Sequence, residues 1–369
     1  MENRRLQVVH VITTIERGGA ENAVAALAQE QVRNGYEVFV VPLKGNLEIS
    51  DDLIDAGIAV DTSLLGQSFI RQVRLFRKMY THEPIFHGHL PRSELLLRLS
   101  KSKSSFFVTR HNAESFFPGA PIFFSRILSR LVTHRSSSVI AISRAVAHFL
   151  TFSGEISTKS QISVIYYGYK QRCNDAVVRE FNLESKRSCI RIGTISRLVP
   201  QKNLYLLIEL ANKLKESHQQ FNIFIVGAGP ENLRLKKKIE EYGLESEVVL
   251  LGRKDNVIPF LLELDFFVLT SNYEGFGLVL LEAMDAKLPI IAARNSAIPE
   301  VLGDHHPGLF KTGDPESLFN VMFSVLHNPS VYEEIMRIQS HQLDSFSVTK
   351  YFESHHNLYL RMMTSRLQK

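Results

Sequence analysis

The sequence predicts an α/β protein made of two Rossmann-like, doubly wound domains facing a central cleft. Three observations carry this. Short runs rich in β-branched and aromatic residues alternate with helix-compatible stretches, the pattern of a parallel sheet covered on both faces. The alternation occurs twice, and a polar stretch without period, "YKQRCNDAVVREFNLESKRS" (169–188), separates the two series as a linker. The 369 residues suffice for two ordinary domains and are too many for one core.

In chain order, "LQVVHVIT" reads as a buried strand. "RGGAENAVAALAQEQVRNGY" is a glycine turn, a helix of about four turns and a stop at Gly35, and "EVFVVPL" is the next strand. "PIFHGH", "SSFFVTRH", "SSVIAIS" and "QISVIYYG" follow, each separated by helix-compatible sequence. After the linker come strand "CIRIGTIS", helix "NLYLLIELANKLKES", strand "FNIFIVG", helix "ENLRLKKKIEEYG", and strands "EVVLLG", "DFFVLT" and "LPIIAA". The chain closes on amphipathic helices, "SLFNVMFSVLHN" and "VTKYFESHHNLYLRMMTSRL". The domains expected are 1–170, 171–345, and 346–369, a helix packing back on the first.

Composition excludes several classes. Hydrophobic content of 44% with 22% charged residues fits a soluble globular chain. Two cysteines cannot staple a fold of this size, so reduced thiols and a cytoplasmic location are expected. The first strand follows basic residues, but His10 interrupts it and no small-residue cleavage site follows, so it is not read as a signal peptide. No run approaches the ~18 apolar residues of a membrane helix.

The net charge of +5 is uneven. Residues 1–178 hold 21 Lys and Arg against 15 Asp and Glu, the remainder 22 against 23, and 62–150 alone 13 against 3. A plain solvated face is one reading. The interleaved phenylalanines favour an anionic partner, lipid headgroups or a phosphorylated acceptor, and no nucleic-acid motif is present. The acceptor or membrane candidates are His87, His89, Arg92, Arg110, Phe116 and Phe117, with Arg98, Lys101, Lys103, Phe123 and Phe124 beside them.

In an open parallel sheet the functional residues follow the strands. After the first strand, Gly18 and Gly19 open a helix whose free N–H groups favour an anion; alone they are equally a tight turn. After "CIRIGTIS", Arg197 and Lys202 form a basic pair suited to a diphosphate. After "FNIFIVG", Gly227 and Gly229 give only part of a dinucleotide fingerprint and read as a strand-to-helix turn. After "DFFVLT" comes "SNYEGFGLVLLEAM". Gly275 and Gly277 let the backbone approach a ligand at a helix start, Glu274 can accept sugar hydroxyl hydrogens, and Glu282 lies just over one turn on. Either glutamate alone is equally a helix cap. The Asp51, Asp52, Asp55 group and "DHH" at 304–306 read as a solvated face and a loop, without metal-ligand geometry.

The stretch 271–284 resembles the E-x7-E signature of family 4 glycosyltransferases, retaining enzymes of GT-B architecture. "GTISRLVPQKN" resembles that family's G-R-L-x(3)-K-N/G loop, "IERGGAEN" its N-terminal glycine loop, and "VTRHN" its T-x-H turn. The resemblance spans most of the chain. It implies a GT-B fold and sugar transfer from a nucleotide diphosphate sugar to a glycan or lipid-linked acceptor, with retention and without metal or other cofactor. It further implies that 1–170 binds the acceptor and 171–345 the nucleotide sugar. The basic excess and the phenylalanines of 62–150, not the resemblance, point to a peripheral protein on the inner face of the cytoplasmic membrane. By the same resemblance Arg197 and Lys202 hold the diphosphate. Glu274 and the amides from Gly275 through Phe276 and Gly277 to Leu278 hold the sugar and β-phosphate, Glu282 holds the ribose, and His111 approaches the reacting carbon. Gly18 and Gly19 approach the diphosphate from the facing domain. The sequence departs from the family at Asp285 and Lys287, where small residues are usual, and at Ser296 and Ala297, where the family has a glycine pair. The competing functions are an inactive sugar-nucleotide-binding homologue and a dinucleotide-dependent oxidoreductase, which "VGAGPEN" fits poorly for want of a third glycine.

Overall fold

Apolar runs of four to six residues bounded by glycine and polar turns are too short for helices and, when apolar throughout, suit strands buried on both faces. The computed structural model describes residues 6–80, 84–101, 106–117, 119–157, 160–173 and 189–367, and such runs are its strands. Contacts divide the chain into two units, Met1–Lys170 with Phe346–Lys369, and Gln171–Ser345.

The first unit holds a seven-stranded sheet of β1 (Gln7–Ile12), β2 (Glu37–Pro42), β3 (Ala59–Val60), β4 (Ile85–His89), β5 (Phe106–Arg110), β6 (Ser138–Ala141) and β7 (Ile162–Val164). All pairs are parallel, in the order β3-β2-β1-β4-β5-β6-β7. β4, β5 and β6 are buried along their whole length. Register sets His10 of β1 beside His87 of β4, and Ile12 beside His89. Alternate residues of a strand share a face, so His10, His87 and His89 crowd one side of the sheet.

The second unit holds β8 (Ile190–Ile195), β9 (Phe221–Val226), β10 (Val248–Gly252), β11 (Phe266–Leu269), β12 (Ile290–Ala293) and β13 (Leu309–Phe310), again all parallel, in the order β10-β9-β8-β11-β12-β13. Its core joins Ile192, Ile223 and Val268 of the sheet to Leu207 and Leu210 of helix Tyr205–Glu216 and Met322 of helix Pro315–His327. β3 and β13 are the strands the sequence pattern does not show; two residues carry no periodicity.

Helix Val348–Leu367 belongs to the first unit. Tyr359 is fully buried there against Phe107 of β5, ring centroids 4.8 Å apart, and the hydroxyl of Tyr36 bonds His356 Nδ1 at 2.5 Å. Tyr169 pairs with Ser347, its N–H donating to the carbonyl of Phe346 at 2.7 Å. A Cβ at Gly168 would lie 2.6 Å from Cβ of Tyr351 and 2.7 Å from Cα of Val348, so only glycine lets the two segments cross. Of the stretch read as a linker, 174–188 lies outside the described residues. Arg172 and Cys173 are held, both N–H groups donating to Asp285 Oδ2, at 2.7 and 3.1 Å. Asp285, one of the departures from the family pattern, thus fastens the incoming chain. Cys173 and Cys189 are not joined in a disulfide.

Lys287, a second of these departures, has a conformational reading. Helix Leu278–Asp285 ends with the N–H of Leu288 on the carbonyl of Ala283 and the N–H of Lys287 on that of Met284, the paired bonds of a Schellman cap. Helix Gly19–Arg33 ends the same way through Tyr36 and Gly35. The left-handed residue is Gly35 (φ 82°) in the first helix and Lys287 (φ 54°) in the second. A side chain in that conformation costs roughly 1–2 kcal/mol. Lys287→Gly is therefore expected to raise stability by about 1 kcal/mol. A urea titration should show a higher midpoint at unchanged slope; a lower midpoint would mean that contacts of the lysine side chain outweigh the strain.

Candidate active site

In each sheet strand order reverses beside the first strand, between β1 and β4 and between β8 and β11, and loops leaving the carboxyl ends there diverge to leave room for a ligand. In the second unit the loop after β8 carries Arg197 and Lys202, and the loop after β11 carries Glu274. Lys202 ends the short 3-10 turn Pro200–Lys202, followed by Asn203 in the left-handed conformation (φ 45°), which asparagine tolerates well. The two loops are stitched together. Thr270 Oγ1 donates to the carbonyl of Lys202 at 2.8 Å, the N–H of Asn272 to that of Gln201 at 2.8 Å, and Gln201 Nε2 to that of Tyr273 at 2.9 Å.

Within this frame Lys202 Nζ lies 2.6 Å from Glu274 Oε1, and Ser271 Oγ donates to the same oxygen at 2.6 Å. The ion pair is largely removed from water, 13% and 8% exposed. Lys202 is thus not a solvent-facing loop residue, whereas Arg197 is exposed. Gly277 caps helix Leu278–Asp285 with φ 91°, a conformation that requires glycine, and leaves the first N–H groups of the helix pointing back at the loop. Phe276 is buried and anchors the turn, with Gly275 and Leu278 half-buried on either side. On the helix, burial pushes the Glu282 carboxyl above its ordinary value, Arg172 opposing and Asp285 reinforcing the push.

Gly227 and Gly229 are explained without a ligand. A Cβ on Gly227 would lie 1.8 Å from the carbonyl oxygen of Ser196, and one on Gly229 2.3 Å from that of Leu198. Their absence lets the loop after β9 zip onto the loop after β8, Ser196 N–H to Val226 O and Leu198 N–H to Ala228 O, fixing the backbone on either side of Arg197.

The first unit places its candidates differently. His111, in the turn after β5, is buried with both ring nitrogens bonded, Nδ1 to the hydroxyl of Tyr167 and Nε2 to His89 Nδ1 at 3.2 Å. The chain continues from His89 Nε2 to His10 Nδ1 at 2.9 Å and from His10 Nε2 to Gln31 Oε1 at 2.8 Å. If that Gln31 oxygen accepts, every ring donates in one direction, from Tyr167 toward Gln31. His87 bonds the hydroxyls of Tyr359 (2.6 Å) and Thr109 (2.7 Å). Burial pushes His111 down to about 3, His10 and His355 to about 4, and His87 and His89 well below the ordinary value. His10, His87 and His89 bring ligand atoms within 4.8 Å of one another, yet all six ring nitrogens are bonded to protein groups that a metal would displace.

Several acceptor candidates are therefore corrected. His87 and His89 are core residues. Arg110 is buried with Nε 3.0 Å from Glu94 Oε2, an ion contact angled away from a hydrogen bond, and Nη1 3.4 Å from Glu155. Its guanidinium covers the ring of Phe116 at 4.4 Å, and Phe116 is core, not surface. Arg92 donates to Gln72 Oε1 at 3.0 Å and lies over Phe69; Lys101 is buried, donating to the carbonyl of Met79 at 2.6 Å. Phe117 is half-buried, its N–H donating to Ser125 Oγ. Lys103 lies outside the described residues. Gly18 caps helix Gly19–Arg33 in extended conformation, and Glu21 Oε2 lies 2.4 Å from where a Gly18 Cβ would sit, so a carboxylate already occupies this helix start. Sequence reasoning missed Ser271, Tyr167 and the His10–His89 link; Ser271, three residues before Glu274, was the one with a local signal.

Comparison with known proteins bears on the family and the fold. The family model "Glycosyltransferase Family 4" matches residues 17–170, and "Glycosyl transferases group 1" matches 180–340. The structure of HepE from Anabaena in complex with UDP and glucose superposes with a TM-score of 0.80 at 19% identity, covering 97% of this chain and all of that one. The chain is similar to the phosphatidylinositol N-acetylglucosaminyltransferase gpi3 subunit of Schizosaccharomyces pombe, 25% identical over 84% of this chain and 70% of that protein. It is also similar to the N-acetyl-alpha-D-glucosaminyl L-malate synthase of Bacillus anthracis, 33% identical over 31% of this chain and 30% of the synthase.

Two expected outcomes follow from the buried charges. Removing one partner of a buried pair strands the other, at roughly 3–5 kcal/mol. Lys202→Met should thus destabilise the second unit by about 3 kcal/mol, and Glu274→Gln added to it should recover most of the loss; equal midpoints for wild type and Lys202→Met in thermal unfolding would refute the pairing. The histidines set the pH response. Their folded pKa values lie below the unfolded value of 6.5, so their stabilisation is complete above 6.5 and is lost as pH falls toward 3–4. Glu94, raised to about 7 mainly by burial, acts in the opposite sense, favouring the fold as pH falls from 7 to 4.5. With His306, also lowered to about 4, six histidines outweigh the two raised glutamates, Glu94 and Glu282, each proton changing stability by roughly 1.4 kcal/mol per pH unit. Melting temperature should hold above pH 7 and drop steeply between pH 6.5 and 5; a flat profile there would show that the cluster is charged or open when folded.

Proposed function

We propose that this chain, which belongs to family 4 of the glycosyltransferases, moves a hexose or N-acetylhexosamine from a nucleotide diphosphate sugar to a hydroxyl of a glycan or lipid-linked glycan. The observation that supports it most is Glu274, held by Lys202 and Ser271 before a glycine-capped helix start, at the strand-order reversal of the second sheet. HepE, of like fold, was crystallised with UDP and glucose, and the two curated relatives are named for N-acetylglucosaminyl groups.

The transfer retains the anomeric configuration. The bond from the anomeric carbon to the β-phosphate oxygen breaks, the acceptor oxygen bonds that carbon from the same face, and its proton passes to the leaving phosphate. The protein's part is to stabilise the departing diphosphate charge. Arg197 supplies a guanidinium fork, Lys202 a point charge, and the amides of Gly275 to Leu278 a set of donors. Glu274 orients the sugar through its hydroxyls and Glu282 the ribose. His111 is a positioning residue: with both ring nitrogens engaged, it offers a sugar main-chain groups rather than its imidazole. No metal takes part in this scheme. Among the described residues no helix is long and apolar enough to cross a membrane; the enzyme works as a peripheral protein on the inner face of the cytoplasmic membrane.

The test is donor hydrolysis without acceptor, over a panel of uridine, guanosine and adenosine diphosphate sugars, with and without excess chelator. Hydrolysis of at least one donor is expected, undiminished by chelator. Change of the exposed Arg197 to Ala should lower hydrolysis about 10²-fold or more, as when one transition-state donor is removed, and leave the melting temperature within a degree or two of wild type. Full activity in Arg197→Ala would sink the diphosphate role, and loss with chelator restored by Mg²⁺ would sink the metal-free scheme. Donor binding without turnover would reduce the chain to a sugar-nucleotide-binding homologue.

A further inference from the structure

Helix Ile122–Thr133 is turned inside out. A helix on a protein surface ordinarily directs its apolar stripe inward. Here the inward side carries Ser125, Ser129 and Thr133 with a single apolar residue, Val132, all fully buried, Ser129 Oγ donating to the carbonyl of Glu155 at 2.8 Å and Ser125 Oγ to that of Phe117 at 3.2 Å. The outward side carries Ile122, Phe123 and Phe124, 65%, 67% and 60% exposed, continued by Ile127 and Leu131. Phe152, 87% exposed, ends the next helix, Arg144–Phe152, and Arg130 ties that end down through the carbonyl of Gly154.

Two helices extend this face. Phe69–Lys78 packs beside Pro91–Ser100, which packs beside Ile122–Thr133. Arg77 donates to the carbonyl of Leu99, and Arg98 to that of Leu131, both at 3.0 Å. The three helices hold eight Lys and Arg against one acid, Glu94, which is buried beneath them. The outward face of the layer is thus apolar and basic, the one carboxylate of its three helices being turned inward. Arg71, Arg74, Lys78 and Arg126 are exposed on it.

We propose that this three-helix face docks on an anionic lipid bilayer, with Ile122–Thr133 lying in the plane of the interface. Phe123 and Phe124 enter the acyl boundary, and Arg71, Arg74, Lys78 and Arg126 meet headgroup phosphates. This deepens the peripheral location in the proposed function by assigning the surface, a different one from that formed by Arg92, Arg110 and Phe116. A second copy of the chain is a poorer occupant, because a two-fold contact would set the basic face against itself. A soluble anionic glycan would leave the phenylalanines in water.

The chain contains no tryptophan, so Phe123→Trp installs a single emitter at the centre of the patch. With vesicles of phosphatidylglycerol and phosphatidylcholine at low salt, the emission should shift to the blue and be quenched by brominated acyl chains, and the protein should co-sediment. Binding should weaken about tenfold or more with Arg71→Glu and Arg74→Glu together, with half-molar salt, or with Ile122→Ser and Phe124→Ser together. Each variant should hydrolyse donor as wild type does, showing the fold intact. Emission unchanged by vesicles, equal binding to pure phosphatidylcholine regardless of salt, or a dimer in light scattering that Phe124→Ser dissolves would each overturn the proposal. Vesicle binding without donor hydrolysis would instead overturn the transferase reading and leave the docking face standing.

Discussion

The reversal of strand order beside the leading strand of each sheet is the constraint on which both halves of the chemistry depend. Adjacent parallel strands normally send their connections over the same face, and the loops crowd. Where order reverses, as between β8 and β11, the connections leave on opposite faces and a gap opens at the carboxyl ends. Arg197, Lys202 and Glu274 flank that gap because "RLVPQKN" and "SNYEGFG" are the segments after those two strands. The backbone then fixes them: glycines at 227, 229 and 277 are where main chain approaches main chain or turns left-handed, and a side chain at 227 or 229 would collide with the carbonyls flanking Arg197.

The two units settle buried polarity in contrasting ways. The second keeps a compact ion pair, Lys202 with Glu274, between the loops that follow β8 and β11. The first also buries a charged group, Arg110 between Glu94 and Glu155, but adds a cluster of neutral imidazoles. Desolvation is the largest influence on every one of its five deeply buried histidines, and each is depressed rather than charged. Such a network is rigid because each ring has one donor and one acceptor to satisfy, and rotating one leaves its neighbour unpaired. The turn after β5 that carries His111 is therefore set by residues as distant as Gln31.

Much of the fold was legible because strand signals are local: four or more apolar, β-branched residues between turns. β3 and β13, two residues each, fell below any window. The loop positions of the candidate site were legible for the same reason, through the rule that function follows the strand. What the sequence could not display was partnership. Lys202 and Glu274 lie 72 residues apart, Arg110 and Glu155 45 apart, and His10 and His89 79 apart. A run such as "FFPGAPIFF" fixes its apolarity but not its orientation. Phe116 turned under Arg110 while Phe123 turned to solvent, a choice made by Glu94 and Glu155, distant in sequence, together with Ser125 and Ser129 on the inner side of the same helix as Phe123.

The crossing at Gly168 bears on how the protein is made. The first unit is assembled from both ends of the chain, with the second unit's 175 intervening residues synthesised between them. At about 5–20 residues per second, ribosomes need roughly ten seconds or more to reach helix Val348–Leu367. Throughout that interval the sheet lacks the cover that Tyr359 gives Phe107 and the hydroxyl that satisfies His87. The nascent first unit is thus an unfinished client, bearing bare aromatic surface while its successor folds, and its completion is timed by translation rather than by its own folding rate.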